Sequence, residues 1–161
     1  MSQFTLVARL VRYGAESMAF QLKQIPADKL DWQPHPASKS ALQIVGEAVG
    51  VIRSQSFTVR SGEFELDGDA LPHPASLEEA LTDLADAAEE FAGLLETVEE
   101  GFLDRRVETP GGPLWAAYQV TFGLVDLLHH HGQITYIQSL LGDAEHHFDG
   151  PSIVRWFGPP Q

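Results

Sequence analysis

The chain has 161 residues, a formal net charge of −13 and no cysteine. That length suits one domain around one substantial core and is short for two. Without cysteine, disulfides, Cys-ligated zinc, iron–sulfur clusters and thiolate nucleophiles are excluded. With this acidity and no basic run, the mean field repels a phosphate backbone and an anionic lipid surface, so neither nucleic acid nor a membrane is expected as a partner.

The opening stretch, MSQFTLVARLVRYGAES, is amphipathic. It lacks the basic segment, solid apolar block and small-residue cleavage site of a signal peptide, so it reads as a first helix of a cytoplasmic protein. Nowhere does the chain approach the roughly 18 uninterrupted apolar residues of a membrane span. Phe4, Val7, Leu10, Val11, Met18, Leu22 and Ile25 recur at three- and four-residue steps and predict a helix from about Ser2 to Lys23.

Three prolines then break the chain in PADKLDWQPHPASKS, where Trp32 is large enough to plug one end of a core. Ser40 with Gln43 forms a capping-box pattern and opens a second helix, carried to about Val59 by Leu42, Ile44, Val45, Ala48, Val51 and Ile52. Glu47 lies inside this apolar series, and Gly46 and Gly50 beside it would admit close approach of another helix.

After a loop rich in Gly, Asp and Pro, Ser76 with Glu79 repeats the capping-box pattern and opens a third helix, Leu77 to about Glu99. Its carboxylates read as a solvated face. LDRRVETPGGP is a further turn, with Pro113 placed for the first turn of a fourth helix running from Leu114 to Leu141 and capped by Gly142. No strand is expected. The tail from residue 143 to 161 has apolar residues but little periodicity, and should pack back on the bundle or on a second subunit. The fold class is therefore all-α, an antiparallel four-helix bundle in a single domain over residues 1–161, with room in the two longer connections for a crossover.

Chemistry concentrates in the fourth helix. His129, His130 and His131 are consecutive, so they fan out by about 100° each and cannot all ligate one ion. If Phe122, Val125, Ile134, Ile137 and Leu141 define the buried side, Asp126 and His130 stack one turn apart beside it. His129 and Gln133 form a second such pair, and His131 faces solvent. In an Asp–His pair the carboxylate either holds the imidazole in one tautomer or joins it on an ion. The plain alternative is a pair on the helix surface. Glu47 is costly to bury unless paired or ligating, or else it sits at the edge of the apolar arc and reaches water. Were Glu47 to face Asp126 and His130, three donors would converge on one face of a metal.

Two segments resemble the DinB-like (DinB/YfiT) superfamily of four-helix bundles. IPADKLDWQPHPASKSALQIV matches its Ile-Pro, acid, Leu-x-Trp-x-Pro sequence before a Ser-capped helix, and HHHGQITYIQSLLGD matches its His-x-Gly-Gln-Ile run followed by Leu-Gly. The resemblance covers roughly residues 1 to 145. It implies a divalent ion held by three histidines, one on the second helix and two at i, i+4 on the fourth. Position by position these fall on Glu47, Asp126 and His130, so one imidazole and two carboxylates stand where the family has three imidazoles. Such a donor set is harder; it favours Mn, Fe or Mg, with Zn and Ni as strong competitors.

The resemblance also implies a metal-dependent hydrolase or a low-molecular-weight thiol transferase, with His129, Gln133 and Tyr136 at the rim for a small-molecule substrate, no organic cofactor, and a homodimer. The competing reading is a non-catalytic small-ligand-binding or dimerisation module, in which the same residues form a hydrogen-bonded polar cluster.

Overall fold

The computed structural model describes residues 3–159. Four long helices dominate: α1 (Gln3–Leu22), α2 (Ala41–Ser61), α3 (Leu77–Thr97) and α4 (Ala116–Leu140). Ser2, the expected start of α1, lies outside the described residues; the other expected ends of α1, α2 and α3 fall within two residues of those observed.

The fourth helix begins two residues late. Arg106–Val107 (β1) pairs antiparallel with Leu114–Trp115 (β2), Trp115 opposite Arg106. The turn between them closes because the Thr109 hydroxyl donates to the Gly112 carbonyl at 2.6 Å and the Gly112 N–H donates to the Thr109 carbonyl at 2.9 Å. Pro113 therefore precedes a strand instead of occupying the first turn of α4, and the expectation of no strand is corrected by this short hairpin. Two-residue strands carry no periodicity to read.

The helix ends follow their local chemistry. At Ser40 both halves of the capping box form: its hydroxyl accepts from the Gln43 N–H and the Gln43 side chain accepts from the Ser40 N–H. Ser76 forms only half of one. Its hydroxyl accepts from the Glu79 N–H at 3.1 Å, but the Glu79 carboxylate reaches one residue further back, to the Ala75 N–H at 2.8 Å. At the end of α4, Gly142 takes φ +94° and donates to the Ser139 carbonyl while the Asp143 N–H donates to that of Gln138. This is the paired arrangement that a left-handed residue after a helix permits.

Cross-helix contacts fix the topology. α1 and α4 run parallel, because Gly14 lies against Leu127 and Gln21 bonds to Gln138. α2 and α3 also run parallel, through Arg53–Asp83 at 2.9 Å and Arg60–Glu90 at 2.6 Å. α1 is antiparallel to α3: Arg12 bonds Glu89 and Glu96 at 2.7 and 2.8 Å, whereas Ala19 lies by Leu81. α2 is antiparallel to α4, with Gln55 by Gly123 and Ile44 near Ile137. The four helices form a ring in the order α1, α3, α2, α4, so chain neighbours α1 and α2 sit across a diagonal.

Parallel α2 and α3 require the intervening segment to travel back along the bundle. It does so over α2: Ser54 donates to the Glu65 carbonyl, Gly50 meets Leu71, and Gly46 meets Pro72 and Pro74. A Cβ at Gly46 would overlap the Pro72 carbonyl. These glycines therefore admit the crossover loop, not another helix as their spacing suggested.

One apolar cluster joins all four long helices, with Met18, Leu22, Leu42, Ile52, Leu84, Phe91, Leu95, Leu127 and Ile134 fully enclosed. Trp32 packs against it from the linker, as its size predicted. The tail is more regular than its sequence suggested: α5 (Gly150–Phe157), capped by Asp149, lies on α1. Trp156 stacks over the Arg12 guanidinium, and Arg155 pairs with Glu16 at 2.8 Å. At eight residues this helix is too short to be stable by itself, so its contact with α1 holds it.

Candidate functional site

α4 is apolar around most of its circumference, so hydrophobic spacing is a weak guide to its phase. Ile134 and Ile137 are buried as expected, and Phe122 and Leu141 are half-buried. Val125, expected on the buried side, is 58% exposed. The enclosed face runs instead through Gly123, Leu127, His130 and Ile134, with Gly123 held close to Phe91 and Gln55.

That phase brings Asp126 and His130 into the bundle, their side chains 13% and 7% exposed. His130 Nδ1 lies 2.7 Å from Gln133 Oε1. An amide oxygen can only accept, so Nδ1 carries a proton there and Nε2 turns toward Asp126 Oδ2 at 3.3 Å. That separation is long beside the roughly 2.7–2.9 Å of a good charge-assisted bond. Asp126 Oδ2 is buried without a well-aligned donor.

Burial pushes the His130 imidazole toward its neutral form, but Asp126, Gln133 and the field of Glu47 outweigh it and hold its pKa above the ordinary value. Gln133 thus serves His130, three residues before it, instead of pairing with His129.

Glu47 takes a different partner. Its Oε1 bonds the ammonium of Lys39, which stands just ahead of the Ser40 cap. Lys39 was not singled out in the sequence. A cation eight residues upstream has no helical spacing to Glu47, and only the path of the linker brings the two together. Among the described residues no group of three or more His, Cys, Asp or Glu side chains is arranged to hold a metal ion. Of the three implied donors, Asp126 and His130 meet at 3.3 Å, while Glu47 pairs with Lys39 and reaches His130 through its field.

Beside this cluster a pocket of about 810 Å³ opens between the 34–39 linker and the second half of α4. Ile44, Ile137, Leu140, Pro34 and Ala37 supply apolar wall, and Lys39, His129, Gln133 and Tyr136 supply polar atoms. All three rim residues named from the sequence thus face one pocket.

His131 does not point to solvent. It is half-buried against α1, with Nε2 3.2 Å from the Ser17 hydroxyl, and burial lowers its pKa. The parallel α1–α4 packing covers a face that the helix wheel left open. Nearby, His147 bonds Asp143 at 2.7 Å, and its carbonyl accepts from Gln21.

A crossover helical bundle with a polar cluster between α2 and α4 at one end defines the class of this protein. The chain belongs to the DinB superfamily, whose family model matches residues 12–134. The fold is similar to that of a DinB-like protein, YjoA, from Bacillus subtilis, solved as a crystal structure at 2.30 Å. The TM-score is 0.72 at 15% identity, covering 89% of this chain and 96% of that one. A search of curated proteins finds no match. No helix among the described residues is long and apolar enough to cross a membrane.

Proposed function

We propose that this protein binds a small amphipathic molecule in the pocket between the 34–39 linker and α4, with Gln133 linking the ligand to the His130–Asp126 pair. The observation that carries this reading is the shared position of Gln133: it lines the pocket and bonds His130. The volume lies within the roughly 300–1,000 Å³ range of small-molecule sites. An apolar body fits against Ile44, Ile137 and Leu140, and a polar or anionic head fits by Lys39, His129 and Tyr136.

The amphipathic sulfonate 1-anilinonaphthalene-8-sulfonate serves as a probe. One saturable equivalent is expected, lost when Ala37→Trp plugs the exposed linker wall. Absence of saturable binding, or binding indifferent to that plug, sinks the reading.

A second reading is favoured by one atom, Asp126 Oδ2, which is buried and has only the long 3.3 Å approach of His130 Nε2 in place of a well-aligned donor. A divalent ion (Mn, Fe, Zn or Ni) would draw on Asp126 and His130, with Glu47 joining after release from Lys39. The hydrolase or thiol-transferase activity belongs to this reading. Metal analysis of tag-free protein separates the two. Stoichiometric metal in the wild type, lost in His130→Ala, supports the second; metal appearing only in Lys39→Met supports the first, with Lys39 standing in for the ion.

A further inference from the structure

Two buried polar atoms far from the His130 cluster lack a hydrogen-bond partner, and both belong to residues that line one cavity. They are Glu16 Oε2 on α1 and Trp156 Nε1 on α5. The cavity, about 300 Å³, lies between α1, α3 and α5. Ala15, Ala19, Leu81, Leu84 and Ala88 make its apolar wall, and exposed Asp86 and Glu89 join Glu16 among its polar residues.

The two orphaned atoms are complementary in kind. A carboxylate oxygen accepts and an indole N–H only donates, so a molecule that serves both carries a donor and an acceptor. Burying either atom unpaired is costly, more so for the charged one. One water takes up roughly 30 Å³, a small part of this space, and the Ala and Leu side chains offer it no hydrogen bond.

Charge decides the sign of the donor. Glu16, Asp86, Glu89 and Glu96 are met by two guanidiniums: Arg12 is engaged by Glu89 and Glu96, and Arg155 by Glu16 Oε1. Asp86 has no ion pair among the described residues. The local balance is negative, as in the chain as a whole at −13, so the field favours a cation and repels an anion.

We propose that this cavity is a second binding site, for a small organic ammonium that also carries a hydroxyl or carbonyl oxygen. The ammonium donates to Glu16 Oε2, the oxygen accepts from Trp156 Nε1–H, and a hydrocarbon body lies on the Ala and Leu wall. The terminal torsion of a glutamate is soft, so Oε2 turns into the cavity as the ligand enters. The volume stands at the low end of the roughly 300–1,000 Å³ range of small-molecule sites, which limits the ligand to the size of an amino alcohol. The cavity shares no lining residue with the pocket at the 34–39 linker, so the two sites stand or fall separately.

The chain has three tryptophans, so NMR shows three indole N–H signals, and Trp156→Phe identifies the one at the cavity. Leucinol, an amino alcohol protonated at neutral pH, should move that signal saturably. Isohexanol, the same skeleton without the ammonium, should bind roughly tenfold more weakly or worse, as loss of a charged hydrogen bond predicts. Glu16→Gln should weaken leucinol by a similar factor. Arg155→Met should instead tighten it about two- to threefold, because it frees the carboxylate from an exposed pair. A Trp156 signal that does not move saturably, isohexanol as tight as leucinol, or equal losses in the two variants would overturn the proposal. Equal losses would show that the Glu16–Arg155 pair serves only to dock α5.

Discussion

His130 stands between Gln133 Oε1, 2.7 Å from its Nδ1, and Asp126 Oδ2, 3.3 Å from its Nε2. One residue further on, His131 lies 3.2 Å from the Ser17 hydroxyl. Adjacent imidazoles thus shift in opposite directions, His130 raised by its carboxylate and amide partners and His131 lowered by desolvation.

The two should titrate on opposite sides of the reference value of 6.5. Because the folded pKa of His130 is raised, its contribution to stability is full below pH 6.5 and fades as pH rises through the folded value. For His131 the sign reverses: its contribution is full above pH 6.5 and is lost as pH falls toward the lower folded value. Imidazole NMR titration checks both. Asp126→Asn should move His130 downward and leave His131 unchanged; two curves superposed at 6.5 would contradict the arrangement.

Gly46 and Gly93 both sit in helices but face different surroundings. A Cβ at Gly46 meets the backbone carbonyl of Pro72, whereas one at Gly93 meets nothing within 4 Å. Gly93→Ala should stabilise by about 0.5–1 kcal/mol. Gly46→Ala should destabilise by roughly 1–3 kcal/mol, as overpacking does, because the crossover loop must lift from α2. Urea denaturation of the two variants gives both numbers, and equal effects would place the loop elsewhere.

Ser40→Ala removes the hydroxyl that accepts the Gln43 N–H and leaves α2 without its cap. A loss of about 1 kcal/mol is expected. Thermal melts should show Gln43→Ala weaker but in the same direction, with the double variant less than additive because the two halves share one motif.

Removing residues 148–161 should leave the four-helix bundle folded. α5 contributes one buried residue, Ser152, and the half-buried Trp156 over Arg12. A loss of about 1–3 kcal/mol would lower Tm by roughly 3–10 °C for a chain of this size. Collapse of the helical signal on truncation would show α5 to be integral to the core.

The sequence by itself determined the helices whose ends are written in local chemistry. Ser40, Pro26 and Gly142 act through their own backbone and nearest neighbours, so the limits they set needed no tertiary information. It also put Asp126 one turn from His130, because i and i+4 stack on any α-helix. The tertiary structure decided whatever joins residues without a period between them. Lys39 claims Glu47 because the linker folds over α2. Gly46 and Gly50 face a crossover loop that their spacing could not identify. His131 is covered because α1 runs parallel to α4. The phase of α4, and with it the exposure of Val125, was fixed by neighbours packing on a helix that is apolar on nearly every side. A period reveals direction only where one face differs from the other.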